Sequence, residues 1–131
     1  MTTHKTKDEI FQTVKNILCE SLLLKPDDVC LESKLVTDLN IDSLDLLDLV
    51  FNLERVFGIK LMDSELDQFL RGRFAKEDLA DGFIKKESIE KMSTWIPALK
   101  KAADQHQITP AELINFISVE SIVILLERKL T

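Results

Sequence analysis

The sequence of 131 residues has no tyrosine and only three glycines, three prolines and two cysteines. A protein of many strands needs many tight turns, and so few glycines and prolines do not supply them. Leucine and charged residues, which favour helices, are abundant. No apolar run approaches the roughly 20 residues of a membrane-spanning helix. These absences predict an all-α fold and a protein that does not span a membrane.

The two cysteines, Cys19 and Cys30, do not have the spacing of a metal site. The chain also begins without an apolar signal segment. A single core at this length buries roughly two-thirds of the surface that the unfolded chain exposes, so neither a disulfide nor a metal is needed for stability. We therefore expect a cytoplasmic protein with no metal site.

Basic residues are outnumbered, with 17 against 23 acidic residues and a net charge of −6. This balance argues against nucleic acid and anionic membranes as partners. The excess is concentrated in residues 35–66, which hold 7 acidic and 2 basic residues and a net charge of −5. A solvated helix face and a docking surface for a basic partner both explain such a concentration.

Two helices are predicted with clear start signals. The first runs over residues 7–22 after a capping box that begins at Thr6. The second begins at Ser43 after the N-cap Asp42 and stops at Gly58. The polar connection between them is longer than the ~4 to 6 residues that are common in compact domains, and long connections often carry function.

The second helix has more apolar residues than a single core-facing stripe requires. Its predicted core stripe consists of Leu46, Leu49, Val50, Leu53, Val56 and Phe57. Leu44, Leu47 and Phe51 widen the apolar surface, while Asp45 and Asp48 follow a polar stripe. We expect the additional apolar residues to remain outside the core.

Further helices are predicted after Gly58. A short third helix starts at Asp63 or Ser64, with Ser64 and Asp67 as a capping box, and ends near Leu70. Residues 71–108 are interpreted as further helix with interruptions, at Gly72, Gly82 and Pro97, the last with Thr94 as its N-cap.

Two more start signals follow. Thr109-Pro110-Ala111-Glu112 combines a cap with proline at the first helical position. Residues 118–130 form a closing helix that should return to the core.

Ser43 has three interpretations. It is a capping-region residue without chemistry, a nucleophile, or a hydroxyl that another enzyme modifies. A nucleophile needs a base, and neither His4 nor His106 has a motif that links it to Ser43.

The segment Asp38-Leu39-Asn40-Ile41-Asp42-Ser43-Leu44-Asp45, followed by an acidic amphipathic helix, resembles the attachment region of acyl carrier proteins. The match contains the Asp-Ser-Leu motif and the preceding Asp-Leu pair. The family usually has glycine at the position of Asn40, and asparagine is the residue that best replaces glycine in left-handed backbone. The resemblance covers about residues 7–66 and resumes at residues 118–130.

The resemblance implies that Ser43 carries 4'-phosphopantetheine through a phosphodiester and that the terminal thiol of this arm holds an acyl thioester. The protein would be a monomeric carrier rather than an enzyme. Its partners would be a phosphopantetheinyl transferase and acyl-loading and acyl-transferring enzymes with basic patches. The docking residues would be Leu44, Asp45, Asp48, Phe51 and Glu54.

The resemblance also implies an acyl-carrier-like four-helix bundle with an additional helical insertion. The expected division is a carrier core over 1–66, an insertion over 67–117 and a final helix over 118–131. The insertion is either an inert decoration or a specialised module that enlarges the acyl-binding core or selects an acyltransferase. The candidate pathways are lipid A or lipopolysaccharide acylation, unusual fatty acids and polyketides.

Three alternatives to an acyl carrier stay open at this point. One is a peptidyl or aminoacyl carrier, against which the acidic second helix argues. The second is an unmodified helical interaction protein, and the third is a serine hydrolase.

Overall fold

Helices dominate the computed structural model, which describes residues 6–70, 74 and 76–130. The α-helices are α1 (Lys7–Leu22), α2 (Ser43–Phe57), α3 (Ser64–Leu70), α4 (Lys86–Ser93), α5 (Pro97–Gln105) and α6 (Val119–Leu130). Two strands, β1 (Leu79–Ala80) and β2 (Phe83–Ile84), form one hairpin. Three 3₁₀ segments span Pro26–Asp28, Lys76–Asp78 and Pro110–Phe116. The predicted helical fold is confirmed.

The first two helices have the predicted bounds. The Thr6 hydroxyl accepts a hydrogen bond from the Glu9 N–H at 3.1 Å, which caps the start of α1. Helix α2 ends at Gly58, whose φ of 65° places it in the left-handed region that glycine favours. Local chemistry at the helix ends therefore fixes both boundaries.

The core lies where α1 packs against α6 and α2. Each of these helices buries one stripe: Ile10, Val14 and Leu18; Leu46, Leu49, Val50 and Leu53; and Val119, Ile122, Val123 and Leu126. Helix α6 thus contributes to the same buried cluster as α1 and α2. Val56 was predicted as core and is 53% exposed, because the buried stripe of α2 continues through Phe57 instead.

The helical region is interrupted at Gly82 as predicted, but the helix predicted on either side of it was wrong, because these residues form a hairpin. Strands β1 and β2 pair antiparallel across Asp81 and Gly82, which both have positive φ, of 55° and 84°. An Asp-Gly pair suits the two-residue turn of a hairpin, because that turn needs positive φ at both positions. The interruption predicted at Gly72 lies outside the described residues.

Two start signals differ from their predicted form. Thr94 ends α4, and Ile96 is the residue before Pro97 at the start of α5. Thr109 is the N-cap residue before Pro110 as predicted, but it begins a 3₁₀ segment rather than an α-helix. The box predicted from Ser64 to Asp67 involves a side chain outside the described part of the chain.

The Glu112 carboxylate holds the start of that 3₁₀ segment. Its Oε1 accepts a hydrogen bond from the Thr109 N–H at 2.7 Å, and its Oε2 lies 3.2 Å from His106 Nε2. The Thr109 N–H and then His106 hold the pKa of Glu112 below its usual value, because both favour the ionised carboxylate.

Residues 67–117 share the buried cluster of the remaining chain. Trp95, Ile96 and Leu99 are buried in it, and the Trp95 ring meets the Phe69 ring edge to face at 5.2 Å between centroids. The expected boundary after residue 66 falls inside α3. Within the described residues, no helix is long and apolar enough to cross a bilayer.

Candidate functional site

The loop before α2 is folded into a tight turn. The Lys34 N–H donates to Asp38 Oδ2 at 2.8 Å, and the Leu39 N–H donates to the Lys34 carbonyl at 3.1 Å. The Ile41 N–H donates to the Leu35 carbonyl at 2.9 Å, and the Leu39 and Ile41 side chains are buried. This long loop is therefore a fixed support for the residues that follow it.

The same loop is hydrogen-bonded to the start of α6. The Leu35 N–H donates to the Ile117 carbonyl at 3.0 Å, and the Val119 N–H donates to the Ser33 carbonyl at 2.9 Å. The start of α6 is fixed in turn, because the Ser121 N–H donates to the Ser118 hydroxyl at 3.2 Å and the Ser118 N–H donates to the Ser121 hydroxyl at 3.1 Å. The approach to Ser43 is thus held by residues from the far end of the chain.

Asn40 has a φ of 57°. This left-handed backbone is the conformation expected for the position from the family resemblance. It is costly for most residues with a Cβ, and asparagine tolerates it because its short polar side chain fits. The turn that a glycine would make is therefore preserved.

Asp42 caps α2. Its Oδ1 accepts a hydrogen bond from the Asp45 N–H at 2.8 Å, and the Asp42 N–H donates to Asp45 Oδ2 at 3.4 Å. This reciprocal capping box places Ser43 at the first helical position. The Ser43 side chain is exposed, and no partner for its hydroxyl is found among the described residues.

Apolar and acidic side chains surround the first half of α2. Leu44 is 72% exposed and Phe51 is 50% exposed, so both lie outside the core as predicted. Asp48 is exposed, and Asp45 is half-buried. A groove of about 320 Å³ lies between α1 and α2, lined by Leu18, Ser21, Leu22, Asp45, Asp48, Leu49, Phe51 and Asn52.

Glu54 has a task that the sequence did not indicate. Its Oε2 accepts hydrogen bonds from the Leu61 N–H at 2.7 Å and the Met62 N–H at 2.9 Å. The carboxylate therefore holds the loop between α2 and α3, away from the groove that Asp45 and Asp48 line. No local motif announces this role, since the partners are seven and eight residues further on.

Comparison with known proteins identifies the family. Residues 12–71 match the phosphopantetheine attachment site family. An acyl carrier protein of Coprothermobacter proteolyticus is 45% identical over 62 residues, which cover 47% of this chain and 76% of that protein. The acyl carrier protein of Thermotoga maritima is 44% identical over 63 residues, covering 48% and 78% respectively. The chain belongs to the acyl carrier protein family.

The prosthetic group of this acyl carrier protein is accordingly 4'-phosphopantetheine. The matched residues extend from within α1 through the end of α3. No solved structure gave a significant match to the chain.

The start of α2 fits a phosphate group. The backbone N–H groups of Ser43 and Leu44 have no hydrogen-bond partner among the described residues, and they lie at the positive end of the helix dipole. A phosphate on the Ser43 oxygen would meet these donors, which is the arrangement that favours anions at helix N-termini. Because Asp42 binds the Asp45 N–H, it leaves the first two N–H groups available.

A hydrolytic site at Ser43 finds no support in the described residues. His106 lies at the end of α5 and contacts Glu112, while His4 lies outside the described part of the chain. Ser43 therefore has no imidazole base among the residues that the structure describes. The described residues also contain no group of three or more His, Cys, Asp or Glu side chains suited to a metal.

Proposed function

We propose that this acyl carrier protein holds acyl groups as thioesters on a 4'-phosphopantetheine arm attached to Ser43, and that it catalyses no reaction itself. The observation that carries the proposal is the exposed Ser43 hydroxyl at the capped start of α2. Ser43 also lies within the matched residues 12–71.

The residues around Ser43 have distinct tasks in this proposal. Asn40 and the buried loop side chains fix the backbone before the helix, and Asp42 keeps the helix start ordered. The first N–H groups of α2 bind the phosphate that links the arm to the Ser43 oxygen. When attached, the arm supplies the thiol that holds the acyl group.

The partners in this proposal are a phosphopantetheinyl transferase and acyl-loading and acyl-transferring enzymes. Their basic patches would meet Asp45 and Asp48, and apolar contacts would form at Leu44 and Phe51. The net charge of −5 over residues 35–66 supports this complementarity and favours an acyl carrier over an aminoacyl carrier. Glu54 is left out of the docking set, because its carboxylate is bound to the next loop.

We further propose that the protein is a monomer and that it lies in the cytoplasm. The two unpaired cysteines support the second part, because thiols stay reduced in that compartment. We keep the division into a carrier core over 1–66 and 118–131 and an insertion over 67–117. The insertion would adapt the carrier to a specialised lipid pathway: lipid A or lipopolysaccharide acylation, an unusual fatty acid, or a polyketide. The shared buried cluster supports a functional role for the insertion, because it is packed into the carrier rather than appended to it.

The test is incubation with coenzyme A and a broad-specificity phosphopantetheinyl transferase, followed by intact mass spectrometry. A carrier gains the mass of one phosphopantetheine and then accepts an acyl group on the new thiol. An unmodified mass would contradict the proposal and favour a helical interaction protein. Labelling by an active-site serine reagent would instead favour a hydrolase.

A further inference from the structure

The residue after α1 combines an unfavourable backbone with an exposed apolar side chain. Leu23 has a φ of 56° and a ψ of 36°, in the left-handed region. Its side chain is 90% exposed, the highest value among the large apolar residues that the structure describes. Glycine ends helices in this conformation without cost, whereas leucine is disfavoured there and leaves apolar surface in water. The left-handed backbone ends α1, but that task needs neither a leucine at this position nor its exposed side chain.

Leu23 directly follows Leu22, which lines the groove between α1 and α2. Leu18, Leu22 and Leu49 give this groove an apolar floor, and Asp45 and Asp48 give it an acidic rim. Asp45 is two residues beyond Ser43. A molecule that binds here therefore lies beside the start of α2.

The surroundings of the groove are negative. The last turn of α1 contains no basic residue, so the negative end of its dipole is not compensated. Lys25 lies two residues after Leu23, but Asp27 and Asp28 follow Pro26 and outweigh the charge of Lys25. A groove with an apolar floor and an acidic rim suits a lysine or arginine side chain, whose alkyl stem packs on the floor while its charged end meets the carboxylates.

We infer that Leu23 extends the docking surface of α2 onto the end of α1. The occupant is the transferase that modifies Ser43. One of its basic side chains lies in the groove, and an adjoining apolar side chain packs against Leu23. The inference rests on the proposed function and adds a recognition residue directly after α1.

The test substitutes Leu23→Gly and measures both thermal stability and the steady-state rate of phosphopantetheine transfer from coenzyme A. The melting temperature should rise, because glycine relieves the left-handed backbone. The KM for the carrier should increase by about fivefold, the loss expected for a recognition residue, while kcat stays unchanged. The conservative variant Leu23→Met should retain the wild-type KM.

Two matched controls isolate the effect. Val56→Ser removes another exposed apolar side chain, at the opposite end of α2 from Ser43, and should leave the KM unchanged. Asp81→Gly replaces another residue of positive φ, in the hairpin turn, and should also leave the KM unchanged.

An unchanged KM in Leu23→Gly would overturn the inference, as would a fall in its melting temperature, which would give Leu23 a role in the fold. A wild-type chain that gains no phosphopantetheine would contradict the proposed function instead. The two failures are therefore distinguishable.

Discussion

At the scale of single residues, the approach to Ser43 depends on backbone conformation. Asn40 adopts a positive φ. The Asp42 carboxylate accepts a hydrogen bond from the Asp45 N–H and so caps the start of α2. Ser43 takes part in neither interaction, which leaves its hydroxyl exposed. The residues that build the site are thus separate from the residue that we propose to be modified.

Asn40 provides a direct test of this backbone argument. Asn40→Ala should lower the free energy of unfolding by about 1 kcal/mol, because alanine is strained at positive φ. Asn40→Gly should change it by less than about 0.5 kcal/mol, since glycine adopts this conformation freely. Urea denaturation measures both values. Equal losses in the two variants would show that the asparagine side chain, rather than the φ angle, stabilises the turn.

Local interactions made much of the site predictable from sequence. The role of Asp42 depends on neighbours within a few positions, so the residue types alone indicate it. The left-handed backbone at Asn40 is indicated by the family resemblance together with the residue type. The contacts of Glu54 with Leu61 and Met62 depend on how the chain turns after α2, whereas the family resemblance implies a docking role for Glu54. The hydrogen bonds from the loop to α6 join residues more than 80 positions apart, and no sequence pattern specifies them.

At the scale of elements, α2 has two apolar faces, one buried and one exposed to solvent. Leu46 and Leu53 are buried against the rest of the bundle, whereas Leu44 and Phe51 are open to solvent. A helix that only needed to pack would have no use for the second apolar face. We therefore assign stability to the first face and partner contact to the second.

Alanine substitutions separate the two faces. Leu53→Ala should cost about 2 to 5 kcal/mol of unfolding free energy, because it leaves a cavity in the core. Phe51→Ala should cost far less and should slow modification by the transferase, since the side chain is half exposed. Urea denaturation and a modification assay measure the two effects. Matching stability losses would mean that the free face of α2 has been assigned wrongly.

The elements after α3 were less predictable. The apolar content of residues 71–108 indicated helix, and α4 and α5 are present there. Gly82 alone predicts an interruption of the helix, whereas the pair Asp81-Gly82 is a strong hairpin signal. Its flanking strands are only two residues each, too short to show the alternation that marks a strand.

At the scale of the whole molecule, the excess negative charge is concentrated in one part of the chain, whereas the buried core involves most of the chain. The excess negative charge lies around α2, while the buried cluster extends through residues 67–117 as well. The charge is therefore available for partner encounter, and the insertion is tied to the fold by packing.

Asp48→Lys tests the role of the charge. The variant should be modified more slowly, and the wild-type rate should fall as salt rises, because a Debye length of about 10 Å at 0.1 M screens the encounter. Asp48 suits this test because Asp45 also takes part in the helix cap. Glu90→Lys on α4 is the control with the same charge change and should retain the wild-type rate. Rates independent of salt would show that docking does not use this charge.

Replacing residues 71–107 with a short Gly/Ser linker tests the role of the insertion. We expect a folded protein that is still modified at Ser43, with a lower melting temperature because Phe69 loses its contact with Trp95. Acyl-chain preference or recognition by the downstream enzyme should change. An unfolded product would show that the protein needs residues 71–107 to fold. A folded product that reacts with every partner enzyme at the wild-type rate would show that these residues have no role in function.

The most direct measurement is the intact mass of Ser43→Ala beside the wild-type chain after incubation with coenzyme A and the transferase. The wild-type chain should gain one phosphopantetheine. The variant should keep its helical circular dichroism spectrum and gain nothing, even though Ser21, Ser33 and other serines remain. A variant that still gains the same mass would place the arm elsewhere and contradict the assignment of Ser43.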